Sequence, residues 1–362
     1  MAHLFSNRPT FANIADDLFD FGSGKSLSEK QTQNLKIIIE QNRPKAEESG
    51  PLWSGFDERC REEYLDIISG EPSRINSLIG RLFGSSMTRG FLQGTDDHNG
   101  LKGSVDSRLF VGSLILDRFY RLAEAVGAAR VLSAEHGQTQ IHIADLDSIM
   151  ARIEDEVGAD LPAPEQDGGM FGLRLRGGIY TERHFDGIYA AWRAREVVRA
   201  SGVSSPSLCE IGGGAGHLAF YARQFGFRTC AIIDLPQAML VQYIVLSTAF
   251  GDHRVSAEHS LRDGIELIQA GTLEADNVHR FDVVINVDSL PEMPHGVAER
   301  YLSNISRGQT FVSINQESGL DTGDYQLGVV RDFANKIQLN RSARYPAWLR
   351  TGYVEEIYTR RG

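Results

Sequence analysis

The sequence is poor in basic residues and has no long hydrophobic run. Its 37 lysines and arginines face 48 aspartates and glutamates, which gives a net charge of −11. Nucleic-acid binding draws most of its affinity from basic side chains, so we expect no nucleic-acid partner. No run of about 18 apolar residues occurs, so we expect no membrane-spanning helix and no membrane partner.

Cysteine is also scarce. The three cysteines, Cys60, Cys209 and Cys230, are far apart, and the last two lie in apolar runs. Such cysteines are typical of buried, unpaired core residues in a reducing compartment. The N-terminal stretch lacks the basic start and apolar segment of a secretory signal. We therefore expect a cytoplasmic protein.

Two regions are expected within the 362 residues, of which 41% are hydrophobic. Residues 1–160 show helical periodicity broken by polar turns, which predicts an all-helical lobe. Residues 161–178 are rich in proline and glycine without periodicity, so we interpret them as a linker or a mobile lid segment. The predicted helices span residues 28–41, 58–68, 72–83, 108–126 and 146–157.

Residues 179–362 alternate a helical segment with short β-branched or apolar runs. Strands that alternate with helices favour an α/β fold with a parallel sheet covered on both faces. The C-terminal tail could add a closing hairpin at the sheet edge. The runs that predict strands are SLCEI, TCAIID, FDVVINVD and TFVSINQ, with a weaker one near residues 253–258.

A glycine-rich turn follows the first of these strands. The strand is expected to end at Ile211 and a helix to begin near His217, an arrangement that holds a ligand against a helix N-terminus. A dinucleotide fingerprint would need a small residue where His217 stands. Glu210 would also repel a pyrophosphate. The glycines expected to approach a cofactor are Gly212, Gly213, Gly214 and Gly216.

A second cofactor contact is predicted at the end of the next strand. Asp234 stands 22 residues after Gly212, where a carboxylate commonly accepts hydrogen bonds from ribose hydroxyls. Leu235 is expected beside it. This position indicates an adenosine-type ligand without distinguishing between NAD and other adenosine cofactors. Asp234 could also cap the next helix, which is compatible with the ribose role.

The string E-x-G-x-G-x-G resembles the first motif of class I S-adenosylmethionine-dependent methyltransferases. The segments EIGGGAGHLA, AIIDLPQAMLVQYIVLS and FDVVINVDSLPEMP together resemble bacterial sugar O-methyltransferases of the NanM type, over roughly residues 170–362. The resemblance implies a Rossmann-like class I methyltransferase sheet, and acceptor choice would then lie in the N-terminal helical lobe. It implies S-adenosyl-L-methionine as cofactor, with Glu210 near its amino end. Ala215 stands where many members carry an aromatic residue.

The loop after the fourth predicted strand offers candidate catalytic residues. Methylation of a hydroxyl requires a base, and His295 is the first candidate because imidazole titrates near neutral pH. Asp288 and Glu292 could orient it, bind sugar hydroxyls or hold a divalent metal, so metal dependence stays open. Asn286 and Val287 are expected to contact the cofactor chiefly through their backbone.

Other histidines have weaker functional interpretations. His217 and His184 could lie near the cofactor, the latter with Tyr180 and Arg183, although helix packing explains them equally well. His98 lies between acidic residues in the helical lobe, and it could contact the methyl acceptor only if its turn faces the site.

Three further hypotheses remain open at this stage. The acceptor could be an amine or carboxylate of a natural product, the enzyme could be a nicotinamide-dependent oxidoreductase, or the protein could bind a cofactor without catalysis. The expected partner is a small-molecule acceptor, and a homodimer is expected on base rates alone.

Overall fold

The computed structural model describes most of the chain. The first nine residues, on which the expectation of no secretory signal partly rests, lie outside the described residues. The described ranges are 10–41, 56–90, 94–132, 137, 140–200, 202–258, 261–272, 280–306, 309–317 and 328–360.

Twelve α-helices and thirteen strands are found in these ranges. The helices are α1 Glu29–Gln41, α2 Phe56–Arg59, α3 Arg61–Ser69, α4 Pro72–Ile79, α5 Thr95–Gly103, α6 Val105–Val126, α7 Leu146–Val157, α8 Glu182–Ala200, α9 His217–Gln224, α10 Pro236–Phe250, α11 His295–Ser303 and α12 Val330–Lys336. The strands are β1 Thr10–Ala12, β2 Phe19–Phe21, β3 Gln140–His142, β4 Phe171–Leu175, β5 Gly178–Tyr180, β6 Ser207–Ile211, β7 Thr229–Asp234, β8 Val255–Ser256, β9 Gly264–Gln269, β10 Val283–Val287, β11 Thr310–Gln316, β12 Leu339–Pro346 and β13 Tyr353–Arg360.

Eight strands form one large, mostly parallel sheet in the order β12-β13-β11-β10-β6-β7-β9-β8. Only β13 runs antiparallel to its two neighbours, β11 and β12. The closing hairpin is thus present, and the Rossmann-like sheet predicted from the sequence is confirmed. Strand order reverses at β6, whose neighbours are β7 and β10. Ligands of open α/β sheets bind at the carboxyl ends of the strands beside such a reversal.

The predicted strands β6, β7, β10 and β11 are all present, but β9 was not anticipated. Its sequence, GIELIQ, carries a carboxylate within an apolar run, and a charge is unusual in a central strand. Glu266 is nevertheless buried because the guanidinium of Arg280 makes two hydrogen bonds to it. The pairing comes from a residue 14 positions away, so local patterning did not indicate it.

The N-terminal region is mainly helical, but it is not all-helical as expected. Strand β2 pairs with β4, and β4 pairs with β5, in a three-stranded antiparallel sheet. The segment 161–178 was predicted to be a linker without regular structure, and this is corrected because it contains β4. Phe171 and Leu173 are fully buried there. The division of the chain into two lobes stays a prediction.

Both regions share a continuous hydrophobic core. Leu116 and Phe119 of α6 belong to the same buried cluster as Phe185 and Ile188 of α8. Cys60, Cys209 and Cys230 are buried and unpaired. Within the described part of the chain, no helix is long and apolar enough to span a bilayer.

Candidate functional site

The glycine-rich turn joins β6 to α9 with three left-handed residues. Gly212, Gly214 and Gly216 have φ angles of 72°, 54° and 87°, which side-chain-bearing residues rarely adopt. A Cβ atom at Gly212 would lie 2.1 Å from Ser289 Oγ. At Gly213 it would lie 2.5 Å from Ile232 Cγ2. The turn and its protein neighbours therefore themselves require the absence of side chains at Gly212 and Gly213.

Glu210 lies in the wall below this turn. Its side chain is buried, and the backbone N–H of Ala219 in the first turn of α9 donates to it. Burial and the neighbouring Asp234 raise the pKa of Glu210 well above its usual value. The other carboxyl oxygen, Oε2, has no hydrogen-bond partner. A cation beside this carboxyl would favour its ionised form.

Asp234 is at the end of β7, opposite the turn. Its Oδ2 accepts hydrogen bonds from the N–H groups of Gly213 at 2.8 Å and Gly214 at 3.2 Å. Its Oδ1 accepts one from the N–H of Leu235 at 2.8 Å. Burial raises the pKa of Asp234 to about 6, although these hydrogen bonds oppose the shift.

A crevice of about 1190 Å³, including its open mouth, lies over the carboxyl ends of β6, β7 and β10. The predicted cofactor contacts Glu210, Gly212, Gly213, Gly214, Asp234, Leu235 and Val287 line it, as do Asp288 and Glu292. Five of the described lining residues are acids, whereas Arg183 is the only lysine or arginine among them. The acids are Asp186, Glu210, Asp234, Asp288 and Glu292.

Two of the predicted cofactor contacts lie behind the crevice wall. Asn286 is fully buried, and its amide donates to the carbonyl of Ile211 at 2.7 Å and to Ser289 Oγ at 2.6 Å. It therefore ties β10 to the start of the glycine turn and does not line the crevice. Gly216 packs against Leu246 of α10.

Asp288 is held by an ionic cluster that sequence reasoning missed. Its backbone is left-handed, with φ 70°. The hydroxyl of Tyr353 donates to Oδ1 at 2.7 Å, and Arg350 and Arg183 approach Oδ2 at 2.8 and 3.7 Å. Burial alone would raise the pKa of Asp288, but the two arginines and the tyrosine outweigh it and lower the pKa.

The cluster extends to the helices that cover the crevice. Asp186, one turn beyond Arg183 on α8, lies 3.4 Å from Arg118 of α6. Its Oδ2 is buried without a hydrogen-bond partner. The residues come from α6, α8, the loop after β10 and the C-terminal hairpin, which are far apart in sequence, so no local motif signals the cluster.

His295, the first candidate for a base, is not brought to the crevice. It is exposed at the first position of α11, and its ring packs against Phe333 with ring centroids 5.2 Å apart. The turn of 3₁₀ helix at residues 290–292 directs Glu292 into the crevice, while the helix that follows points His295 away.

The buried imidazoles of His184 and His217 pack together beside the crevice, with centroids 4.1 Å apart. Burial, followed by the nearby charge of Arg183, lowers the pKa of His217 to about 3. The N–H of Thr181 donates to His184 Nδ1, which places the proton of neutral His184 on Nε2. His98 is buried against Phe21, away from the site.

A metal site is not evident in the described ranges, where no cluster of three or more His, Cys, Asp or Glu side chains could hold an ion. Asp288, which the sequence offered as a ligand, has Arg350 and Tyr353 as its partners instead.

Comparisons with known proteins give only distant matches. The chain matches no protein-family model and no curated protein. It is similar to an O-methyltransferase family protein from Burkholderia thailandensis, at 15% identity over 49% of this chain and 59% of that chain, with a TM-score of 0.34. The chain therefore spans less than two thirds of that protein.

Two further solved structures are each similar to about half of the chain. The CcbJ methyltransferase from Streptomyces caelestis has 14% identity over 49% of this chain and 90% of that chain, with a TM-score of 0.36. A glycopeptide N-methyltransferase complexed with S-adenosyl-L-methionine has 15% identity over 48% and 94%, with a TM-score of 0.36. The fold of this chain is assigned from its own strand order.

Proposed function

We propose that the protein is an S-adenosylmethionine-dependent methyltransferase. The observation that carries the proposal is the pair of carboxyl groups beside the glycine turn, Glu210 and Asp234, which line the crevice at the strand reversal with Glu210 Oε2 lacking a hydrogen-bond partner. Such a lining favours a cationic ligand over a pyrophosphate because like charges repel at short range. S-adenosylmethionine combines an adenosine with a sulfonium and an ammonium group, whereas a nicotinamide dinucleotide brings two phosphates.

The crevice residues fit the parts of this cofactor. Asp234 would accept hydrogen bonds from the ribose hydroxyls. Leu235, Ala238 and Ala270 provide apolar contact for the adenine. The glycine turn and Glu210 would hold the amino-acid end, where a positive charge would lower the raised pKa of Glu210. When bound, the cofactor supplies an electrophilic methyl group on its sulfonium.

For the acceptor, we propose a hydroxyl of a sugar or a similarly hydroxylated small molecule. Beyond the cofactor residues, the crevice is lined by Arg183, Asp186, Asp288 and Glu292, which offer both donors and acceptors to hydroxyl groups. Asp288, with its lowered pKa, is a weak proton acceptor. Glu292 is therefore assigned to receive the hydroxyl proton, in place of His295.

An amine acceptor is the second candidate. The acid-rich lining would attract a protonated amine. Such an amine must lose a proton before methyl transfer, and a carboxylate of the lining would accept it, whereas a carboxylate acceptor would be repelled. These observations favour the amine over a carboxylate acceptor.

Calorimetric titration tests the cofactor assignment. S-adenosylmethionine and S-adenosylhomocysteine are expected to bind with 1:1 stoichiometry, and NADH is not. Asp234→Ala should weaken S-adenosylhomocysteine binding about tenfold or more through the lost charged hydrogen bond. Asp155→Ala, at an exposed position of α7, is the matched control and should bind normally. Binding of NADH without binding of S-adenosylhomocysteine would refute the proposal.

The acceptor class is tested separately, with radiolabelled S-adenosylmethionine and matched pairs of glycosides and amino sugars. Label transferred to neutral glycosides supports O-methylation. Label found only on the amine of each pair would establish the second candidate.

A further inference from the structure

Gln242 links the carboxylate of Asp234 to the glycine turn. It lies in the second turn of α10 and is fully buried. Its Nε2 donates to Asp234 Oδ2 at 2.7 Å and to the carbonyl of Gly214 at 3.0 Å. Both partners are acceptors, so only the amide NH₂ group fits here. One hydrogen of the amide thus bonds to Asp234 and the other to the glycine turn.

The two oxygens of Asp234 consequently have different surroundings. Oδ2 accepts from three donors, namely the N–H groups of Gly213 and Gly214 and the amide of Gln242. Oδ1 accepts one hydrogen bond, from the N–H of Leu235. Each carboxylate oxygen has about two acceptor positions, so Oδ2 is saturated and Oδ1 has one position left. The donors on Oδ2 keep the carboxylate from rotating and leave Oδ1 for a ligand.

We propose that Gln242 is a positioning residue, which orients Asp234 so that Oδ1 accepts hydrogen bonds from the ribose of the cofactor. The inference rests on the proposed function, because it concerns how the same site recognises adenosine. The hydrogen bond to the carbonyl of Gly214 fixes the orientation of the amide, so that its other hydrogen points at Asp234. Gln242 is too deeply buried to contact the cofactor itself and acts through Asp234.

The neighbour of Gln242 on α10 provides a matched control. Tyr243 is also buried, but its hydroxyl accepts a hydrogen bond from Asn34 of α1 at 2.6 Å, away from the glycine turn. Tyr243→Phe therefore removes a buried polar contact of α10 without touching Asp234. Gln242→Leu retains much of the volume of the glutamine and removes both donated hydrogen bonds.

The experiment compares two ligands by calorimetry. S-adenosylhomocysteine and its analogue without the ribose 2′-hydroxyl are titrated into the wild-type protein, Gln242→Leu and Tyr243→Phe. In the wild-type protein and in Tyr243→Phe, the missing hydroxyl should weaken binding about tenfold, as expected for a hydrogen bond to a charged group. In Gln242→Leu, S-adenosylhomocysteine should bind about tenfold more weakly than in the wild type. The affinity of the analogue should be nearly the same in Gln242→Leu as in the wild type, so this variant no longer distinguishes the two ligands.

The outcomes separate the inference from the proposed function. Absence of S-adenosylhomocysteine binding to the wild-type protein overturns the proposed function and the inference with it. If the wild type binds S-adenosylhomocysteine but Gln242→Leu weakens the binding of both ligands equally, or of neither, the inference alone is overturned. Should Gln242→Leu fail to fold, Gln242→Met, which is closest in shape, is titrated in its place and judged by the same criteria.

Discussion

Replacement of Gly212 by alanine tests how the glycine turn is built. At φ 72° an alanine experiences left-handed strain of about 1–2 kcal/mol. The loss of unfolded-state entropy offsets about 0.4–1 kcal/mol of this. The new Cβ would also lie 2.1 Å from Ser289 Oγ and 2.4 Å from Ser289 Cβ, where carbon contacts need about 3.5 Å. Overpacking of this kind costs about 1–3 kcal/mol.

Gly226 is the matched control for this substitution. It also has a left-handed backbone, with φ 89°, but an added Cβ would meet no atom within 4 Å. Gly226→Ala should therefore lower the free energy of unfolding by only about 0.5–1 kcal/mol. Gly212→Ala should lower it by about 2–4 kcal/mol.

Urea denaturation followed by circular dichroism measures both changes. S-adenosylhomocysteine binding should also be lost in Gly212→Ala and retained in Gly226→Ala. Equal destabilisation of the two variants would show that contact with Ser289 contributes nothing. Ser289→Ala added to Gly212→Ala should not restore stability, because the Cβ of residue 289 remains 2.4 Å away.

Three other predictions concern charged or titratable side chains. Burial raises the pKa of Asp234 to about 6, so the ligand-free folded state retains a proton that the unfolded state loses. As the pH rises from about 4 to 6, the free energy of unfolding of the wild type should therefore fall relative to that of Asp234→Asn, as measured by urea titration at each pH. Asp288→Asn tolerates the left-handed backbone but removes one of the two carboxylates, Asp186 and Asp288, that offset the burial of Arg350, so urea denaturation should show the free energy of unfolding lowered by about 3 kcal/mol, against about 1 kcal/mol for Tyr353→Phe. His295→Ala, at an exposed helix start, should leave S-adenosylhomocysteine affinity and methyl transfer unchanged; a large loss of transfer rate would return His295 to the mechanism.

The elements around the glycine turn were predictable because their signals are local. The run SLCEI followed by glycines requires only its own backbone preferences to form a strand and a tight turn. Helix α7 was predicted with the same bounds as observed, since Asp145 caps it and Gly158 ends it in a left-handed conformation. The proximity of Asp234 to this turn also follows from local order, because successive parallel strands end at one edge.

The ionic cluster around Asp288 could not be predicted in this way. Arg118, Arg183 and Arg350 are contributed by α6, α8 and the C-terminal hairpin. Their partners are set by the packing of these elements, and sequence spacing carries no information about it. The mistaken placement of His295 has a related cause, since the orientation of the first turn of α11 depends on its packing against Phe333.

The sequence by itself determined strands β6, β7, β10 and β11 with the helices between them, the left-handed turn after β6, and the acidic residues at the ends of β7 and β10. These depend on backbone preferences and on hydrophobic periodicity within a few residues. Tertiary structure alone decided which acids keep their charge and which side chains reach the crevice. Burial raises the pKa of Glu210 and Asp234, and arginines from distant segments lower that of Asp288; both effects arise only when the chain is packed.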